Sequence, residues 1–338
     1  MVTGGGGSIG SELCKQIFFQ APKEIIVIEA NEYNLYQIEK NIFNLKKSKI
    51  NLKLILNDCS NSSFLKKLFE DNSVEIVFHA AAYKHVPIVE NNLIEGIKNN
   101  VFSTLSLCKA SYESSVNKFL LVSSDKAVRP SNIMGASKRF SELIVTAFAE
   151  KEQNEKKVSS TCFSMVRFGN VLNSSGSVVP LFKEQISKGG PITITHPEVI
   201  RYFMTIKEAS ELMLQACSMS KGGELFLLDM GSPVKIKDLA RKMIKLSGLS
   251  IKNKENRKGD IEIIYKGLRS GEKLYEELLI DAEAIKTEHP LIYQAKEKGM
   301  PYLVLMEKLN YLKKSIDDFD EEKVSFILNE VVPEWKKS

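Results

Sequence analysis

Ser123-Ser124-Asp125-Lys126 sets two hydroxyls, a carboxylate and an ammonium at consecutive positions directly after an apolar run, residues 119–122. The run reads as a buried strand, so these groups stand at its carboxyl end, the edge where open α/β sheets bind ligands. A carboxyl group beside an amine can give one proton and take another within a single reaction. That requires a carboxyl pKa raised, and an amine pKa lowered, by burial or charge. Pro130 turns the loop that follows, and residues 134–150 carry the pattern of a helix. On it, Met134 and Lys138 fall four residues apart on one face. A thioether neither gives nor takes a proton, so any proton transfer falls to another group, and Ser124, Asp125 and Lys126 are the nearest candidates by sequence.

These groups need a sheet to hold them, and the start of the chain supplies its signature. Gly4, Gly7 and Gly10 follow the spacing G-x-x-G-x-x-G, with Ser8 and Ile9 between the last two and a helical pattern over residues 11–19. Glycines at this spacing let the backbone turn sharply beside a pyrophosphate, and the helix N-terminus supplies N–H donors. A second strand, residues 24–29, ends in Glu29, nineteen residues after Gly10. That is about the distance expected for the acid that binds a ribose 2′-hydroxyl. Its charge would repel a 2′-phosphate and so favour NAD over NADP. A third strand at 52–56 leads to Asp58 and Cys59, near the position of an adenine. A fourth, 76–82, ends in Ala80, Ala81 and Ala82, small enough for a cofactor to lie against the backbone. Asn99 opens the next helical stretch. Strand and helix alternate from residue 1 to about 170, which predicts a Rossmann-type, doubly wound parallel sheet. Only Met1 and Val2 precede the glycine turn, so the first strand is either unusually short or cut from a longer chain.

After residue 158 the order changes. Short strands, polar loops and helices follow, including strands at 192–195, 223–230 and 261–265 and helices at 208–218 and 236–246. They predict a smaller C-terminal lobe over the sheet edge, giving domains at 1–170 and 171–338, with some strands returning to the sheet. A closing helix is expected at 326–331. Arg167, Arg201 and Arg269 are candidate anion binders, since the planar guanidinium fork suits a diphosphate.

The 338 residues are 43% hydrophobic and 26% charged, ample for a sizeable core, and the net charge of +5 is mild. No basic face with interleaved aromatics suggests a nucleic-acid partner. The Lys-rich pieces at 46–49 and 252–258 read as solvated loops, and 254–259 as mobile. The five cysteines are scattered without a Cys-x-x-Cys pair, and the four histidines are isolated. This points to reduced core thiols and to no metal site. No apolar run is long enough to span a membrane.

In seven motifs the chain resembles the extended short-chain dehydrogenase/reductases, and among them the nucleotide-sugar 4,6-dehydratases. The motifs are TGGGGSIGSEL (3–13), HAAAYKHVP (79–87), SSDKAVRPSNIMGASK (123–138), VRFGNVLNSSGSVVPLF (166–182), THPEVIRYFM (195–204), LDMGSPVKI (228–236) and GLRSGEKLYEELL (267–279). The resemblance is strongest to the catalytic domain of the large, membrane-anchored UDP-N-acetylglucosamine 4,6-dehydratases of bacterial glycan synthesis. Met134 is the residue of the large, C5-retaining enzymes. Other extended dehydrogenases and the shorter, inverting dehydratases carry Tyr there. Ser124 stands where the family has Thr. The large relatives also carry a membrane-spanning N-terminal portion and a further nucleotide-binding region, so this chain is expected to be the cytoplasmic catalytic part of a longer protein.

The resemblance implies a redox-neutral dehydration with a tightly held, recycled NAD(P) and no metal. A hydride leaves sugar C4, water is lost across C5 and C6, and the hydride returns to C6. Ser124 would bond the 4-hydroxyl, Asp125 would protonate the departing 6-hydroxyl, and Lys126 would take the C5 proton. Lys138 would bond the nicotinamide ribose. Asn170 and Arg201 would hold the diphosphate, with Ser177 beside them. Val178, Val179 and Phe182 would line the uridine pocket. Arg269 would meet the phosphates, Glu272 the uridine ribose, and Lys84 with His85 the sugar. A UDP-sugar substrate and a homo-oligomer are implied, and no nucleic acid. The alternatives are a nucleotide-sugar 4-epimerase, a C5-inverting dehydratase, and a dinucleotide-binding subunit without catalysis. The first is disfavoured by Asp125 and Met134, and the last by the intact Asp-Lys pair.

Overall fold

The computed structural model describes residues 1–43, 50–155, 160–279 and 284–336. The Lys-rich piece at 46–49 lies outside them. Strands β1 (Val2–Thr3), β2 (Glu24–Glu29), β3 (Asn51–Leu56), β4 (Ile76–His79), β5 (Lys118–Val122) and β6 (Cys162–Arg167) join in one sheet, in the order β3-β2-β1-β4-β5-β6. All six run parallel. The sequence direction reverses between β1 and β4, and the crevice at their carboxyl ends is where such a sheet receives a ligand. The strand Leu225–Leu228 adds to β6 in parallel. Ile292–Ala295 and then Ile285–Lys286 close that edge antiparallel.

The central strands are apolar on both faces because helices cover both. β2 is Glu-Ile-Ile-Val-Ile-Glu, with residues 25–28 buried. One face packs on helix α1 (Ser8–Phe19) and the helix Ile206–Met219, through Leu13, Leu212 and Met213. The other packs on the helices Ser103–Glu113 and Ile133–Glu155. Over these lie two C-terminal helices, Tyr302–Asp317 and Glu321–Val331, contributing Leu305, Leu309, Leu312 and Leu328 to the same core. The expected helix at 326–331 is the end of the second, and the 16-residue helix before it was not foreseen. β1 is two residues long, yet it is buried and paired on both sides.

Two local expectations need correction. β4 ends at His79, so Ala80, Ala81 and Ala82 form a loop. Asn99 does not open a helix. Helical structure starts at Leu93, and Asn99 sits in a π-turn, Lys98–Phe102. There Asn100 receives the Tyr83 N–H at 2.7 Å and donates to Tyr83 O and to Ser137 Oγ, at 3.0 and 2.9 Å. The widened turn brings that amide to the loop after β4.

A smaller core gathers the helices Val178–Ser187 and Ile236–Leu246 against a three-stranded parallel sheet, Ile251–Lys252, Ile261–Tyr265 and Ile192–Ile194.

Arg167, expected among the anion binders, is instead the centre of a buried ion-pair network. Its side chain is fully buried, and Nε and Nη2 grip both oxygens of Glu142 at 2.7 and 2.6 Å. Nη1 and Nη2 donate to Glu297 at 2.6 and 2.8 Å. Arg139 adds contacts to Glu142, Glu297 and Glu334 at 3.2, 2.8 and 2.8 Å. Burial raises the Glu142 carboxyl, but Arg167, with help from Arg139 and Ser123, outweighs it and holds it at about 2. Removing one partner strands a buried charge. Arg167→Met is expected to lower unfolding free energy by about 3–5 kcal/mol in denaturant titrations. Because the folded-state pKa of Glu142 lies below its ordinary 4.5, the stability it provides is present above that pH and is lost as pH falls toward about 2. Arg167→Met should flatten this acid limb.

Candidate active site

The site is built at the carboxyl end of β5. Beyond the strand, Ser123 N donates to Val166 O at 2.7 Å and Asp125 N to Phe168 O at 3.1 Å, so the backbone stays tied to the β6 side. Ser123 Oγ turns inward and donates to Glu142 at 2.6 Å. Ser124 caps a short 3-10 turn, Asp125–Ala127. Its Oγ accepts from Lys126 N at 3.1 Å and donates to Asp125 Oδ1 at 2.9 Å. Lys126 Nζ lies 3.0 Å from Asp125 Oδ1 and donates to Asn170 Oδ1 at 3.4 Å. The expected trio Ser124, Asp125 and Lys126 is therefore one hydrogen-bonded unit.

Gly135, which sequence reasoning passed over, lets the long helix press on this unit. A Cβ there would stand 2.2 Å from Lys126 O. Lys138, one turn on, donates to Val122 O at 2.6 Å, and burial lowers its ammonium to about 8 against the pull of Glu142. Lys126 contradicts expectation. Burial pulls its pKa down, but Asp125 and then Glu276 outweigh that, and the ammonium is held above its ordinary value. The side chain of Met134 packs into the apolar core, 3% exposed, so its contribution is shape alone.

The glycine turn meets the requirements of a dinucleotide. Gly4 has φ +65° and packs on the loop after β4, where a Cβ would come within 2.6 Å of Ala81 Cα. At Gly10 a Cβ would meet Gly4 O at 2.1 Å. Gly7 caps α1 without a side-chain bond, so the first-turn N–H groups of Ser8, Ile9 and Gly10 are available to a phosphate. Glu29 closes the loop by accepting from Gly6 N at 2.9 Å and Asn31 N at 3.1 Å. Asn99 donates to Asn100 Oδ1 at 2.9 Å beside this crevice. Asp58 is exposed and bonded to Ser60 N and Oγ at 2.8 and 2.9 Å. Cys59 is buried, its thiol pushed up to about 12 by burial, so only its backbone can face a ligand.

The second half reaches over this edge. Ser175 N donates to Ser8 Oγ at 3.1 Å, and Gly176 lies so close to His85 that a Cβ would stand 2.3 Å from the imidazole. Lys84 is exposed beside it. Ser131 Oγ and Asn132 Nδ2 bind Gly271 O at 2.7 and 3.0 Å, and Lys273 Nζ binds Val128 O at 2.9 Å. The motifs 123–138 and 267–279 are thus docked together. Arg201 donates to Ile200 O, Leu274 O and Lys273 O at 2.8, 3.2 and 2.8 Å, with Glu272 Oε1 3.6 Å away. Glu272 also accepts from Thr195 Oγ1 at 2.8 Å and from Arg269 N at 3.1 Å, while the Arg269 side chain points to solvent-exposed surface. Val178 is partly buried at the start of its helix and Val179 is 8% exposed. Phe182, expected in a uridine pocket, is fully buried in the smaller core and cannot line one in this arrangement.

Among the described residues, three buried polar atoms of the site have no hydrogen-bond partner: Asn170 Nδ2, Ser177 Oγ and Glu276 Oε2. The first two belong to residues expected to hold substrate, and an unpaired buried donor is costly unless a ligand satisfies it. Glu276 was missed, although it stands in a motif the sequence had singled out. Among the described residues no helix is long and apolar enough to cross a membrane.

The sequence model of the family described as "Polysaccharide biosynthesis protein" matches residues 1–297. The chain is 43% identical to "Capsular polysaccharide biosynthesis protein CapD" of Staphylococcus aureus, over 97% of its own length and 52% of that protein's. It is 31% identical to a "UDP-glucose 4-epimerase" of Rickettsia bellii, over 97% of this chain and 88% of that one. The X-ray structure of Pen from Bacillus thuringiensis superposes with a TM-score of 0.75 at 32% identity, covering 88% of this chain and 87% of that one. The chain spans about half the length of the first curated relatives it matches.

Glu29 is the acid that the sequence pattern assigns to the ribose, and it stands at the end of β2 beside the glycine turn. In titrations with each dinucleotide, Glu29→Gln is expected to raise NADP+ affinity relative to NAD+ about tenfold, since a single charge–phosphate repulsion near a surface is worth on the order of 1–2 kcal/mol. An unchanged ratio would show that another group sets the preference.

Proposed function

The chain belongs to the polysaccharide biosynthesis protein family, and from that premise we propose that it forms the catalytic part of a UDP-N-acetylglucosamine 4,6-dehydratase that retains configuration at C5. The observation that carries this reading is the Asp125–Lys126 pair. An acid and an amine lie 3.0 Å apart at the ligand edge of the sheet, with an inert Met134 on the neighbouring helix. An elimination needs both groups at once, one for the leaving 6-hydroxyl and one for the C5 proton. A 4-epimerase works at C4 alone and has no use for the acid. The similarity to a UDP-glucose 4-epimerase makes it the second reading. The choice of N-acetylglucosamine and of retention rests on the family resemblance of the 123–138 motif, Met134 above all.

A bound NAD(P) would supply the hydride chemistry, taking a hydride from sugar C4 and giving it back at C6. The α1 N-terminus would hold its pyrophosphate, Glu29 its adenosine ribose, which favours NAD, and Lys138 its nicotinamide ribose. Ser124 Oγ accepts the 4-hydroxyl's hydrogen bond and helps its proton leave. Lys126 arrives at this point as an ammonium. Passing a proton across the 3.0 Å hydrogen bond to Asp125 leaves the acid protonated and the amine free in one step. Asp125 then gives that proton to the departing 6-hydroxyl, which leaves as water. Lys126 takes the C5 proton as the C5–C6 double bond forms, and returns it to C5 after the hydride reaches C6. The proton lost from the 4-hydroxyl replaces the one carried away in the water. Asn170, Ser177, Arg201, Arg269 and Glu272 would hold the nucleoside diphosphate, and Lys84 and His85 the sugar.

Asp125→Asn and Lys126→Ala are each expected to lower kcat by about 10²–10⁴-fold, while UDP-sugar affinity by calorimetry stays close to wild type. Wild-type rates of water loss in either variant would contradict the assigned roles.

A further inference from the structure

Glu276 lies outside every motif position the chemistry above uses, yet it faces the proton-transferring pair. Its side chain is 5% exposed, and Oε1 stands 3.7 Å from Lys126 Nζ and 3.8 Å from Arg201 Nε. Lys126 therefore has a carboxylate on two sides, Asp125 and Glu276, the first 3% exposed. Arg201 pulls the Glu276 carboxyl down, while its Nη atoms donate to three backbone carbonyls and it also lies 3.6 Å from Glu272. Lys273, on the same segment as Glu276, is bonded to Val128 O. Glu276 Oε2 is buried and has no hydrogen-bond partner among the described residues.

Resting on the dehydratase reading for its chemical consequence, we propose that Glu276 is a positioning residue that sets the pH at which the Asp125–Lys126 pair exchanges protons. The groups that face it are Lys126, Asp125, Arg201 and Lys273. Burial lifts the Glu276 carboxyl above its ordinary value, against the pull of Lys126, and Asp125 adds to the rise. Its negative charge makes a proton on either neighbour more favourable. It keeps Lys126 loaded as an ammonium until the proton passes to Asp125. Three coupled groups titrate as a set, so its removal must move the whole set in one direction.

The test compares kcat against pH for wild type, Glu276→Gln and Glu276→Asp with UDP-N-acetylglucosamine. In Glu276→Gln both limbs of the profile should move to lower pH by at least about one unit, with KM within about twofold. Glu276→Asp, which draws the charge back by one methylene, should move them the same way by less. It also carries the test if the Gln variant does not fold. Without turnover, the same shift should appear in the pH midpoint for acylation of Lys126 by a small amine reagent, followed by mass spectrometry. Unmoved limbs and midpoint, or a raised KM with unmoved limbs, would overturn the proposal and leave Glu276 as a brace for residues 272–277. A shifted acylation midpoint in a protein that dehydrates no UDP-sugar would instead reject the dehydratase reading and keep the role of Glu276.

Discussion

A guanidinium shut away from water at the end of β6 holds the active edge of this protein together. Arg167 binds both oxygens of Glu142 on the long helix and both oxygens of Glu297 after the returning strand. Glu142 in turn accepts from Ser123, the residue next to Ser124, Asp125 and Lys126. Four pieces of chain that are distant in sequence are thereby fixed to one another. Buried ions of this kind tolerate no missing partner. The arrangement therefore selects one register for β5, β6 and the helix, and with it one position for Ser124, Asp125 and Lys126. Arg139 extends the same network to Glu334, so the C-terminal segment is tied to the back of the site.

The electrostatics then divide two lysines between two tasks. Lys138 sits in the sheet crevice with burial as its main influence, and its ammonium is lowered to about 8. Lys126 lies between carboxylates that keep it charged. In the proposed reaction a charged Lys126 acts as a base only after losing a proton, and Asp125, 3.0 Å away, is the acceptor. The closeness of Asp125 and Lys126 thus resolves what each residue alone would find unfavourable. The second half of the chain completes the enclosure. It brings Ser175 to Ser8, Gly176 to His85 and the segment carrying Glu276 to Lys126.

Much of the parallel sheet was legible because most of its strands are short, largely apolar runs bounded by polar or glycine-containing loops. β2, the strand Ile261–Tyr265 and the helix Ile236–Leu246 have the predicted bounds. The grouping of Ser124, Asp125 and Lys126 was legible for the same reason: polar residues at a strand's carboxyl end are visible in one dimension. What failed depends on distant partners. Arg167 reads as an anion binder until Glu142 and Glu297 are seen to flank it. Phe182 reads as a pocket wall until the smaller core closes around it. Lys126 reads as a lowered amine until Glu276, 150 positions on, arrives beside it. The helix Tyr302–Asp317 did leave a signal, with Leu305, Leu309, Leu312 and Ile316 at helical spacing.

The most direct measurement is incubation of the protein with UDP-N-acetylglucosamine, without added cofactor, followed by mass analysis of the nucleotide sugar. Loss of one water, with no net oxidation or reduction, is the predicted result, since the same hydride leaves C4 and returns to C6. A new sugar isomer of unchanged mass would contradict it and assign the Asp125–Lys126 site to epimerisation.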